Sequence, residues 1–188
     1  MGLFGKKYTP ETQWENILSA LKEGLSPIRE DWYNVTISEL ERDILSLEPG
    51  LQPRMKNINF SEPLDEVILT IQTFSSRLHI SNEKYIHKRD GKAFSKIFIE
   101  TLWDGYDFDP LGQYIKEYYR LSNDLGPMYT KMAHDLCDNI FGPDSAYLSL
   151  MLVQYVRVIQ YGACAMTSIA FGDPIKAEKI LRHAGMKK

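Results

Sequence analysis

The amino-acid sequence predicts an all-α fold, a single-domain bundle of seven to eight helices around a long apolar helix near residues 145–170. Three observations carry this prediction. Apolar residues recur at helical spacing in successive segments, no segment shows a convincing strand alternation, and residues 145–170 are almost free of charge. With 188 residues the chain suits one domain, which we expect at 9–188 after a flexible N-terminus at 1–8.

A proline divides the first predicted segment into two helices. Pro10 follows a threonine that can cap a helix, and apolar residues then recur at helical spacing until Gly24. Because an interior proline interrupts the helical hydrogen bonds, Pro27 predicts a bend over residues 25–34. A second helix is expected from about residue 36 to residue 47.

The rest of the chain continues this pattern of short amphipathic helices. Residues 48–59 contain two prolines and a glycine and are predicted to form a loop. Basic residues collect at 79–92 where the helical pattern is lost, which favours a loop over a short hairpin. The remaining helices are expected at about 61–78, 93–103, 111–122, 127–141, 145–170 and 174–184, with a breaker at 107–110.

The helix predicted at Ser145–Ala170 is apolar over most of its circumference, and Arg157 is its only formal charge. Such a helix is normally buried among others. A membrane span is the alternative, but Arg157 near mid-bilayer would cost roughly 2.5 to 3.5 kcal/mol. We therefore expect no transmembrane segment, and we expect Arg157 to lie at a polar rim beside Gln154, Gln160 or Tyr161.

The composition of the chain indicates which classes of partner and which cellular compartment to expect. A net charge of −3 does not favour general nucleic-acid binding. Cys137 and Cys164 are predicted to be small core residues, and the N-terminus has no secretory pattern, so a cytoplasmic protein is expected. The small-residue run Gly162–Ala165 predicts close helix packing, with self-association into a homo-oligomer as the sharper alternative.

One helix face carries a candidate metal site. His134, Cys137 and Asp138 are spaced at i, i+3 and i+4 and would share that face in a helix. The dipeptide formed by His134 and Asp135 resembles the metal-dependent phosphohydrolases of the HD type. The resemblance implies an all-helical fold and hydrolysis that uses His134 and Asp135.

The same resemblance implies an additional upstream histidine and a downstream aspartate. The upstream position would fall to His79 or His87, and the downstream position to Asp173. The resemblance covers two adjacent residues and a loose order along the chain. No histidine lies within a helical turn of another, and the sequence therefore favours an ordinary helix face over a metal site.

Carboxylates at Glu100, Asp104, Asp107 and Asp109 offer oxygen ligands for a hard cation. Their spacing does not match a calcium-binding loop, so a solvated turn is the preferred interpretation. The sequence also lacks the glycine-rich loops that bind nucleotides and the usual motifs of a nucleophilic serine or cysteine. We expect no cofactor and, on balance, no catalysis.

Aromatic and polar residues in the second half supply the candidate binding surface. Tyrosine is enriched at protein interfaces. The candidate binding residues are Tyr106, Phe108, Tyr118, Tyr119, Arg157 and Tyr161. They predict a non-catalytic adaptor or assembly subunit that binds another protein through a helical groove or aromatic surface. The alternatives are the HD-type hydrolase and a small-molecule binder with a pocket beside Gly162–Ala165.

Overall fold

A computed structural model describes residues 10–47, 60–106, 108–142 and 148–185. The predicted flexible segment 1–8 and the whole of the predicted loop 48–59 lie outside these residues. Within them the chain forms helices and no strand, which confirms the all-α prediction. The helices are α1 (Pro10–Leu47), α2 (Glu62–Asn82), α3 (Gly91–Leu102), α4 (Phe108–Leu121), α5 (Leu125–Phe141), α6 (Ser149–Ala170) and α7 (Pro174–His183).

The predicted bend at residues 25–34 is wrong, because α1 is one helix of 38 residues with Pro27 inside it. Pro27 lies on the exposed face, while Leu21 and Leu25 before it and Trp32 after it are buried. An interior proline costs about 3 kcal/mol, and each buried leucine side chain contributes roughly 1.5 to 3 kcal/mol. Burial on both sides of the proline therefore outweighs the break that the sequence suggested, and two predicted helices merge into one.

The interior is shared between α2 and α6 rather than centred on α6 alone. The buried residues of α2 form an almost continuous run from Val67 to Ser76. By contrast, α6 contacts α1, α2, α5 and α7 but leaves Leu150, Val158 and Ile169 exposed. Part of the apolar surface of α6 therefore faces solvent, although the sequence indicated a helix buried among others.

Two hydrophobic clusters make up the core. One joins the second half of α1, the first half of α2 and the first half of α6 to α4 and α5. The other joins the first half of α1, Leu69 and Ile80 of α2, and Ala163 of α6 to α3. Both clusters therefore depend on α1, α2 and α6, and α7 packs along α6 with Ala177 buried.

Capping residues set several helix boundaries. Asp173 accepts a hydrogen bond from the Lys176 amide at 3.0 Å, which starts α7 as the sequence indicated. Asp124 accepts one from the Gly126 amide at 3.2 Å, so α5 begins two residues earlier than predicted. Residues 108–110 of the predicted breaker fall instead in the first turn of α4, where Pro110 is tolerated, and residue 107 lies outside the described residues. The predicted start of the apolar helix at residues 145–147 lies outside the described residues.

Among the helices described here, none combines the length and the apolar character that crossing a membrane requires.

Candidate functional site

A groove of about 630 Å³ lies between α1 and α6 and reaches the end of α7. The two long helices run antiparallel beside it. The Trp32 indole of α1 donates a hydrogen bond at 3.0 Å to the backbone carbonyl of Tyr155 in α6, and farther along Ile28 faces Gly162. Trp32 and Tyr155 are both buried, so they form a fixed floor of the groove.

Both walls of this groove expose apolar side chains to solvent. Val35 of α1 is 58% exposed and Val158 of α6 is 42% exposed. Single exposed apolar residues are ordinary, but these two come from different helices and line the same concave surface. A partner that covered the groove would remove both from water.

Charged residues of opposite sign line the two sides. Asp31 and Glu39 belong to α1, whereas Arg157 of α6 lies across from them. Arg157 is exposed, donates to the Tyr161 hydroxyl at 3.5 Å and lies over the Tyr161 ring. This is the polar rim position that the sequence predicted for Arg157.

A second concavity of about 370 Å³ extends the groove along the same two helices. It shares Gln154, Tyr155 and Arg157 with the first and adds Asp43 of α1 and Leu150 of α6, which is 72% exposed. From Ile28 to Asp43 the α1 wall covers about 22 Å at 1.5 Å per residue. That is the length of a helix of about 15 residues.

The other candidate binding residues lie away from this groove. Tyr118 is fully buried and donates to Asp135 at 2.9 Å, while Tyr119 is exposed at the end of α4 and packs its ring against Phe74. Tyr106 contacts Asp65 and lies in a buried network between α1 and α2. Phe108 begins α4, and the structure does not describe its side chain. Of the five candidates whose side chains the structure describes, Arg157 and Tyr161 are brought together at the groove.

Two of the candidate metal residues of α5, His134 and Asp138, contact each other, and a third, Asp135, already has hydrogen-bond partners within the protein. His134 Nδ1 lies 3.1 Å from Asp138 Oδ2, and Asp135 accepts hydrogen bonds from Lys131 and Tyr118. Burial raises the pKa of the Asp135 carboxyl, against the opposing effect of those two donors. Burial also raises the pKa of the Cys137 thiol to about 11, which disfavours the thiolate that binds metals.

No group of three or more metal-binding side chains is arranged to hold an ion in the described part of the chain. His79 lies 2.8 Å from Ser168 Oγ and belongs to a contact between α2 and α6. In the acidic segment, Glu100 pairs with Lys96 at 3.8 Å and Asp104 with Lys22 at 3.2 Å. Asp107 lies outside the described residues, as does the side chain of Asp109.

The small-residue run of α6 packs against other helices. Ala163 is fully buried, and Cys164 Sγ lies 3.8 Å from the Ser75 carbonyl of α2. A Cβ added at Gly162 would lie 3.8 Å from Ile28, an ordinary van der Waals distance. The groove ends at Tyr161, immediately before this run. The run therefore brings α6 close to α1 and α2.

Two buried polar networks could not be predicted from the sequence, because their members are far apart in the chain. Arg29 donates to Asp65, to Gln72 at 3.3 Å and to Tyr106 at 3.0 Å. The His79–Ser168 pair is joined by the Tyr85 hydroxyl, 3.3 Å from Ser168 Oγ. Since Ser168 has no exposed surface, this serine links helices and presents no accessible nucleophile. The sequence feature that could have indicated the first network is Arg29, a charged residue on the apolar face of α1.

Comparisons with protein-family models, with curated proteins and with solved structures each returned no match.

Proposed function

We infer that this protein is a non-catalytic adaptor or assembly subunit whose groove between α1 and α6 binds an amphipathic helix of another protein. The observation that carries this inference is the pair of exposed valines, Val35 and Val158, which two different helices direct into one concave surface. Helix-in-groove binding uses such apolar clefts, with the partner helix contributing anchors at i, i+4 and i+7.

The dimensions and charges of the groove define the partner further. A wall of about 22 Å accommodates about four turns of helix. Asp31 and Glu39 on the α1 side favour basic residues along one edge of the partner helix, and Arg157 on the α6 side favours an acidic residue along the other. The proposed partner is therefore a helix of about 15 residues with an apolar stripe between edges of opposite charge.

Binding is tested with a displayed library of 15-residue helical peptides selected on the full chain. We expect the selected peptides to share an apolar stripe with a basic edge and an acidic edge. A double variant with Val35→Asp and Val158→Asp should weaken their binding by roughly tenfold or more, because it places charges in a desolvated contact. Fluorescence anisotropy with labelled peptides measures the change.

Ile175→Asp provides the matched control. Ile175 is 68% exposed on α7, outside the groove, so the variant makes the same kind of change on another surface. Circular dichroism checks that all variants keep their helices. Selection of no peptide, or equal binding by the wild type and the double variant, would contradict the proposal. A wild-type dimer in light scattering that Val158→Asp dissociates would also contradict it, because the occupant would then be a second copy.

A further inference from the structure

Another cavity, of about 570 Å³, lies where α2 ends and α3 begins, on a surface separate from the groove. Its lining includes the side chains of Arg77, Lys84, His87 and Lys88. Residues 77–92 carry five lysines and arginines against two carboxylates, although the whole chain has a net charge of −3. The cavity is therefore a local concentration of positive charge on an acidic protein.

The cations that line this cavity have no acidic partner in the part of the chain that the structure describes. Among the described residues, no carboxylate lies within ion-pair distance of Arg77, Lys84 or Lys88. The two carboxylates of the segment are engaged elsewhere, since Glu83 pairs with Lys176 at 2.7 Å and Asp90 with Arg89 at 3.5 Å. Three uncompensated positive charges around one cavity favour an anion within it.

Arg77 is held in a fixed orientation at this cavity. Its guanidinium donates to the Ser95 hydroxyl and lies 5.7 Å from the centre of the Phe94 ring. Both contacts come from α3, so the arginine spans the two helices that border the cavity. A pre-positioned guanidinium suits phosphate oxygens, which it can bind through two parallel hydrogen bonds.

Lys84 occupies a backbone conformation that lysine rarely adopts. Its φ is +57°, and it is the one non-glycine residue with positive φ in the described ranges. The Lys84 amide donates to the Ser81 carbonyl and the Tyr85 amide to the Ile80 carbonyl, which is the helix ending that normally selects glycine. Lys84 therefore occupies a position at the cavity where the backbone conformation favours glycine. Backbone strain of this kind is typical of functional positions.

We propose that this cavity binds a small phosphate-bearing molecule from solution. Arg77 supplies the oriented guanidinium, Lys84 and Lys88 supply point charges, and the Ser81 hydroxyl at the lining supplies a further donor. The volume exceeds what one phosphate needs and accommodates a diphosphate or a phosphorylated metabolite.

The proposal is tested by titrating the full chain with pyrophosphate in a calorimeter at low ionic strength. We expect binding that Arg77→Gln and Lys88→Gln each weaken by about tenfold, the effect of losing one charge-assisted contact. The matched control is Arg89→Gln, which removes a positive charge from the same segment. Arg89 suits this purpose because it pairs with Asp90 and does not line the cavity. The control should bind nearly as tightly as the wild type.

Lys84→Gly separates a binding role from a structural one. Glycine relieves the strained backbone, so the melting temperature should rise while pyrophosphate binding weakens. If Arg89→Gln and Lys88→Gln weakened pyrophosphate binding equally, binding would depend on the overall positive charge of the segment and not on the cavity. That result would overturn the proposal. Absence of pyrophosphate binding would overturn it as well. If the chain bound no pyrophosphate but sedimented with vesicles that contain phosphatidic acid, the proposal would also be wrong, because the ligand would then be a lipid headgroup.

Discussion

The terminal methyl of Met166 occupies the space beside Gly24 where any larger residue would place its side chain. A Cβ built on Gly24 would lie 2.2 Å from Met166 Cε, far inside van der Waals contact. The obstructing atom is the end of a flexible side chain, and such an end can move at modest cost. Gly24 therefore leaves room for the Met166 side chain where α1 and α6 approach each other. A small residue other than glycine could still be accommodated there, because the methionine can move.

A double-mutant cycle on this pair is the first prediction. In Gly24→Ala we expect the free energy of unfolding to change by less than about 1 kcal/mol, because the gain in helix propensity offsets the displacement of the methionine. With Met166→Ala as background, the same change should stabilise the protein by about 0.5 to 1 kcal/mol. Urea unfolding of the four proteins measures the coupling, and strictly additive effects would show that the two side chains do not compete for space.

Ala163→Leu tests the packing of the small-residue run. Ala163 is fully buried in the cluster that joins α1, α2, α3 and α6, so three added carbon atoms should destabilise the protein by about 1 to 3 kcal/mol. Ala20→Leu on the exposed face of α1 is the control and should leave the melting temperature nearly unchanged. If light scattering instead shows a loss of mass before any loss of stability, the run forms a seam between copies.

Arg29→Ala tests the network between α1 and α2. Removing the guanidinium would leave Asp65 without its buried cationic partner and Tyr106 without a donor. Breaking a buried pair in this way costs about 3 to 5 kcal/mol. Arg42→Ala on the same helix removes an exposed pair with Asp43, and we expect a change below about 1 kcal/mol there. Similar losses in the two variants, measured by urea unfolding, would show that the network contributes little.

His79 gives the stability a pH dependence of known sign. Burial lowers the pKa of His79, with smaller opposing effects from Glu83 and Asp173 and a reinforcing one from Lys176. The unfolded chain therefore takes up the proton first, and stability falls as the pH decreases from about 6.5 towards the lower pKa of the folded state. His79→Gln should remove this part of the slope. Unfolding free energies measured between pH 7.5 and pH 5 would show parallel curves for both proteins if His79 were not responsible.

Local sequence patterns sufficed for most helices because each amphipathic segment has its own period and its own capping residues. Asp173 with Pro174 marks the start of α7 in both the sequence and the structure. The bend predicted at Pro27 was wrong because a proline disfavours a helix through local effects only. The burial that outweighs this effect comes from helices far along the chain. The helix end near residue 78 was placed too early for the same reason, because His79 and Ile80 are buried by tertiary contacts.

The groove could be predicted only in part. Arg157 and Tyr161 drew attention as polar residues on an apolar helix, and both line the groove. Val35 carried no signal, because nothing in its neighbourhood tells which face of α1 lies beside α6. The apolar circumference of α6 indicated burial, yet Leu150 and Val158 remain exposed. Periodicity reports how apolar a helix face is, and it does not report whether this chain or another molecule covers that face.

The sharing of α1, α2 and α6 between the two hydrophobic clusters bears on cooperativity. Each cluster contains part of α1, α2 and α6, and we expect the unfolding of one cluster to destabilise the helices that support the other. Fluorescence of Trp32, which belongs to one cluster, and of Trp103, which belongs to the other, should therefore report the same midpoint in a denaturant titration. The slowest backbone amides to exchange with deuterium are expected in the buried middle of α2, where both clusters must open before water can enter.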